Sequence, residues 1–321
     1  MGCSRVRISL EIGGSKTTVM QKKQFNRLLR TAGTILAFAL MVYLLSRQGW
    51  DQILEGVAAI PLWRFGAAIV LMVVSRLVVA ARWHALLHAA GQRIRWADSL
   101  RITFAGLFAS NFLPTTIGGD VVRLTMVLQM RFDKVVSTAS LVVDRLVGMA
   151  GMATAAPLGL LPALGAGLPG LMPPAAAGLF GGFSRRLGAV RARLWDALRL
   201  WMRSPRGLLL AYAWTWAHQL SLFGVVWLML GGLGETAPFW LVGGLWSFTY
   251  FVTLLPISIN GLGLQELSMT AIFSGLGGVS VTAAATAAFL VRTIQMLASL
   301  PGALFLPDIL SGGHPTDDEV A

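Results

Sequence analysis

Apolar runs separated by short polar or basic blocks fill the chain from Leu28 to Leu306. Six are read as full membrane-crossing helices: 28–46, 62–81, 135–161, 171–183, 207–230 and 281–306. A spanning helix needs about 20 largely apolar residues, and most of these runs meet that length. Two further apolar stretches, 102–130 and 239–276, are broken near their middles by Pro and Gly. A single helix through either would lose its hydrogen-bond ladder at mid-membrane. Each is therefore expected to enter, turn and leave as a re-entrant hairpin of two half-helices.

The breaks share one skeleton, Leu-Pro-x-Ser/Thr-Ile-x-Gly. It occurs first as Leu113-Pro114-Thr115-Thr116-Ile117-Gly118-Gly119-Asp120 and again as Leu255-Pro256-Ile257-Ser258-Ile259-Asn260-Gly261. Counting alternations opens the first hairpin to the cytoplasm and the second to the outside. Two similar broken elements of opposite orientation are the pattern of an inverted repeat with a site near the midplane.

The predicted fold class is thus all-α: a polytopic membrane helix bundle of about six spans and two re-entrant hairpins. A mean hydropathy of +0.70, with 55% hydrophobic and 12% charged residues, excludes a soluble globule. The expected organisation is a polar N-terminal segment at 1–27, a membrane domain at 28–306 and a polar acidic tail at 307–321. Met20 opens a more typical juxtamembrane sequence than Met1 and offers an alternative start. Lys22, Lys23, Arg27 and Arg30 hold the N-terminal side in the cytoplasm of a cell inner (plasma) membrane protein.

The net charge of +12 lies mostly in blocks between apolar runs, where it orients the chain rather than binding nucleic acid. Segment 184–206 is the most basic. Leu187, Val190, Leu194, Leu198 and Trp201 recur there at helical spacing, as in an amphipathic helix on the cytoplasmic leaflet. Anionic phospholipid is the expected partner. A single cysteine, Cys3, rules out a disulfide framework. No metal site is expected: His84 and His88 lack the intervening Glu of HExxH. No cofactor is expected either, since GxGxxG at 165–170 contains Pro169 and follows no strand.

Seven ionisable residues fall inside apolar runs: Arg76, Asp120, Arg123, Asp144, Arg145, Glu266 and Arg292. An ionised side chain at mid-helix costs about 2.5–3.5 kcal/mol on insertion scales, so each requires a partner, a wet cavity or a function. Arg76, Asp144, Arg145 and Arg292 form the expected intramembrane charge network. Asp120 and Arg123 follow Gly118-Gly119 at the start of a half-helix, on one face. Free backbone N–H groups and a guanidinium fork there suit phosphate oxygens. Glu266 holds the corresponding place after Asn260-Gly261-Leu262-Gly263, beside Gln265. It could meet an amine, pair with Arg292 or carry a proton. The headgroup candidates are therefore Asn111, Pro114, Gly118, Gly119, Asp120, Arg123, Asn260, Gly261, Gly263, Gln265 and Glu266.

Three ordered motifs, Asn111 to Arg123, Asp144-Arg145 and Leu255 to Glu266, resemble the transmembrane domain of lysylphosphatidylglycerol synthases, a flippase-like family. The resemblance covers nearly all of the chain after Met20. It implies movement of a phospholipid between leaflets, without the soluble domain that performs aminoacyl transfer. Gln265 stands where relatives commonly carry Arg, which removes a cation from the second hairpin. Two other readings remain open: an accessory protein of a lipid- or glycan-synthesis enzyme, and a polyprenyl-phosphate-dependent glycosyltransferase. The latter would have to rely on Asp51 and Glu55 in a short loop.

Overall fold

The computed structural model describes residues 58, 60–112, 118–158, 201, 204–254 and 261–305. The run at 28–46, the N-terminal segment, the acidic tail, all of segment 171–183 and most of segment 184–206 lie outside the described residues. So do both motif turns, with Pro114 and Asn260.

The described residues are all-helical. They form α1 (Leu62–Ala89), α2 (Trp96–Phe112), α3 (Gly118–Gln129), α4 (Lys134–Ala155), α5 (Pro205–Gly232), α6 (Phe239–Thr253), α7 (Leu264–Gly277) and α8 (Val281–Ser299), closed by a 3-10 turn at Leu300–Phe305. Three are long and apolar enough to cross a membrane: α1, α4, and α8 with its 3-10 extension. The 28-residue α5 matches α1 in length, but His218 and Gln219 interrupt its apolar run.

The helices start and stop for local reasons. Pro61 precedes α1 and Pro205 occupies the first turn of α5, where its missing N–H costs nothing. The Asp133 carboxylate accepts from Val136 N at 2.8 Å and caps α4. Ser280 caps α8 through Ala283 N and is itself held by Glu235, which accepts from its hydroxyl at 2.6 Å. Positive φ at Gly263 and Gly278 brackets α7, a conformation that any Cβ would strain.

Lengths separate two kinds of element. At 1.5 Å per residue, the 17 residues of α2, 12 of α3, 15 of α6 and 14 of α7 each fall short of the roughly 30 Å hydrocarbon core. They pack as consecutive pairs, α2 with α3 and α6 with α7, while α1 packs along α5. Among apolar solvent molecules there is little hydrophobic force between helices, so small residues that let backbones approach are decisive. The Ala283–Ala288 stretch of α8 supplies such a face, and the main core gathers there with Phe223, Met229, Leu245, Met269 and Phe273. On the other side of α1, exposed Val70, Val73, Val74 and Leu77 form a stripe at helical spacing, suited to lipid.

Two expectations need correction. The second spanning helix, expected over 62–81, does not end at Ala81: α1 continues to Ala89, so Arg82 is a buried residue of that helix. Trp201 does not face a leaflet. It is 1% exposed, packs with Leu86, Val143 and Val147, and donates its indole N–H to the Leu86 carbonyl at 2.9 Å. Helical spacing identified the apolar face but could not say whether lipid or protein would cover it.

Candidate functional site

The first charged centre is assembled by a close contact within the α2–α3 pair. A Cβ on Gly119 would fall on Ser110 Oγ and the Gly106 carbonyl, and one on Gly106 would lie 2.7 Å from Arg123 Cγ. Two facing glycines thus let the start of α3 press against α2, and this fixes where Asp120 and Arg123 stand. The Arg123 guanidinium lies over the Trp83 ring, 4.4 Å from its centroid. Its Nη1 donates to Asp144 Oδ2 at 3.2 Å, with Asp120 Oδ1 at 3.8 Å.

Asp144 is the hub. It is 3% exposed, and its other oxygen accepts from Arg82 Nε at 2.7 Å. One turn later, Gly148 leaves space for Arg82, whose Nη1 lies 3.3 Å from the position of an added Cβ. Arg82 also reaches Thr215 Oγ1 on α5 at 3.4 Å. The neighbouring Arg145 turns the other way: its Nε donates to Asp120 Oδ2 at 2.6 Å, and its Nη2 approaches the same oxygen. Two carboxylates are therefore each shared between two guanidiniums, tying α1, α3 and α4 together.

These groups line a partly open cavity of about 260 Å³. Its wall includes Arg76 and Arg82 of α1, Thr103 and Ser110 of α2, Asp120 and Arg123 of α3, Asp144 and Arg145 of α4, His218 and Gln219 of α5, and Tyr250 of α6. His218 Nδ1 is 2.7 Å from Ser75 Oγ.

The second centre is smaller and separate. Glu266, in the first turn of α7, accepts from Arg292 Nε of α8 at 2.7 Å, and Arg292 Nη2 donates to the Gly261 carbonyl at 3.0 Å. Of the three roles open to Glu266, the pair with Arg292 is the one the structure shows. Gln265 Nε2 and Glu266 Oε2 are buried without a hydrogen-bond partner among the described residues. None of Gly261, Gly263, Gln265 or Glu266 lines the 260 Å³ cavity. Asn111 donates to Ser299 Oγ at 2.9 Å, so it joins α2 to α8 and does not line the cavity either.

Residues 30–302 match the family described as lysylphosphatidylglycerol synthase TM region. The chain belongs to this family. No curated protein matches it. Every described helix from α1 through α8 lies within the matched residues, so both charged centres belong to the lysylphosphatidylglycerol synthase TM region itself.

Sequence reasoning missed Arg82, His218 and Gln219 as parts of the first centre. Arg82 carried a legible signal. It lies seven residues after Ser75, which puts both on one helical face, and Ser75 and Arg82 are both buried. The histidines of α1 are engaged locally: His84 Nδ1 with Ser99 Oγ at 2.9 Å and His88 Nε2 with the Ile94 carbonyl at 3.0 Å. No group of three metal-ligating residues occurs among the described residues.

Proposed function

We propose that this protein is an integral membrane lipid translocase that moves a phospholipid, or a related lipid with an anionic headgroup, between leaflets. The observation that carries the reading is the arginine-rich cavity of about 260 Å³ between membrane helices. Polar space in a membrane bundle is costly, and it marks a route or a site for polar matter. The four short helices support a bundle of about six spans with two re-entrant hairpins, arranged as an inverted repeat. In this reading the hairpins carry a headgroup across while acyl chains remain in lipid.

The N-terminus faces the cytoplasm of the cell inner membrane, in keeping with its basic residues. The lipids it meets are predominantly anionic, and transport proceeds without covalent chemistry, driven by an ion, lipid or voltage gradient. The test is reconstitution in liposomes carrying labelled lipid on one leaflet, comparing wild type with Arg123→Ala and Glu266→Ala. Transfer by the wild type and its loss in Arg123→Ala is the expected result. Unchanged transfer in both variants would remove these residues from the mechanism. Absence of transfer by the wild type across a lipid panel would favour an accessory role beside a lipid- or glycan-synthesis enzyme.

A further inference from the structure

The walls of the cavity carry more positive charge than they neutralise. Four guanidiniums line it, those of Arg76, Arg82, Arg123 and Arg145, against the carboxylates of Asp120 and Asp144. With His218 counted as neutral, two positive charges are left over. Arg76 makes the imbalance local, since it has no ion pair among the described residues and its Nε is buried without a hydrogen-bond partner. Arg76 is half-buried, and the part of its charge that is shielded from solvent is unfavourable without a counter-charge.

The unpaired hydrogen-bonding groups point the same way. Arg76 Nε, Arg123 Nε and Nη2, Thr103 Oγ1, and both polar atoms of the Gln219 amide are buried without partners among the described residues. All four residues line this cavity. Arg123 is 8% exposed and Gln219 is fully buried, so bulk solvent does not satisfy them. Most of these orphans are donors, and Gly119 and Asp120 in the first turn of α3 line the same cavity. A compact anion with several acceptor oxygens and two negative charges would match these donors and this charge.

We infer that the cavity is a site for a phosphate monoester. Such a group carries about −1.5 to −2 near neutral pH and presents three strong acceptor oxygens. A phosphodiester brings one charge and leaves one guanidinium uncompensated. At about 30 Å³ of liquid volume per water, the cavity of about 260 Å³ has room for a phosphate group together with several waters or part of the group it esterifies. The chemistry fits a lipid ending in a phosphate, such as a diacylglycerol phosphate or a polyprenyl phosphate, and it also fits inorganic phosphate. For the lipid, the inference deepens the translocation reading and rests on it.

The test is calorimetric titration of the purified full chain in detergent. The probes are dihexanoyl phosphatidic acid, dihexanoyl phosphatidylglycerol and inorganic phosphate. The wild type should bind phosphatidic acid about tenfold more tightly than phosphatidylglycerol, as a difference of one buried charge requires. Arg76→Gln should bring the two lipids to similar affinity, and Arg76→Lys should keep the preference. Equal or tighter binding of phosphatidylglycerol by the wild type would overturn the inference, as would a preference that survives in Arg76→Gln. Binding of inorganic phosphate with neither lipid bound would support the monoester site and count against lipid translocation. Transfer of phosphatidylglycerol in liposomes, with no binding of any monoester, would overturn this inference alone and leave translocation standing.

Discussion

Replacing Asp144 by Asn should be among the most damaging single changes in the membrane core. The carboxylate accepts one short charged hydrogen bond, 2.7 Å from Arg82 Nε, and one longer, 3.2 Å from Arg123 Nη1. Hydrogen bonds to charged groups net about 1.5–3 kcal/mol each, and breaking a buried ion pair costs about 3–5 kcal/mol because a charge is left behind. Asparagine preserves shape and one acceptor oxygen, so the loss should be about 3 kcal/mol. The two bonds should also contribute unequally. Arg123 retains Asp120 and the Trp83 ring when Asp144 is neutralised, whereas among the described residues Arg82 retains only the 3.4 Å contact with Thr215. Double-mutant cycles should therefore give a coupling of about 2 kcal/mol for Arg82 with Asp144 and about 1 kcal/mol for Arg123 with Asp144. The assay is reversible unfolding in mixed micelles, titrated with SDS and followed by fluorescence of the 11 tryptophans. An Asp144→Asn protein within about 0.5 kcal/mol of wild type would refute the hub, as would a larger coupling to Arg123 than to Arg82.

Arg145→Ala should change stability by less than about 1 kcal/mol in the same assay. Its side chain is 57% exposed, and its bond to Asp120 competes with solvent. Gly119→Val should destabilise the chain by about 1–3 kcal/mol through overpacking, since even its Cβ would meet Ser110 and the Gly106 backbone. Trp201→Ala should cost about 3–5 kcal/mol, and the cost should be the same in neutral and anionic lipid. A penalty that grew with anionic lipid content would return Trp201 to the leaflet surface.

Length, composition and the spacing of apolar runs determined the class of this protein, because hydrocarbon admits only chain segments that satisfy their own backbone. The same reasoning placed breaks at the Leu113–Asp120 and Leu255–Gly261 motifs, and the described helices end at Phe112 and Thr253 and begin again at Gly118 and Leu264, since Pro and Gly act locally on the helix ladder. It also picked out Asp120, Arg123, Asp144, Arg145, Glu266 and Arg292 as residues requiring an explanation. Pairing was beyond its reach. Asp144 and Arg145 are neighbours in sequence, yet they serve different partners because adjacent residues leave a helix about 100° apart. Arg82 lies just past the apolar run 62–81, yet α1 runs on to Ala89, and hydropathy alone cannot tell a solvated arginine from a paired one. Nor could spacing decide that Glu266 would meet Arg292 and stay outside the cavity wall, or that Trp201 would be covered by protein. Those outcomes depend on which helix faces lie against one another, and only the packing of α1 through α8 decides that.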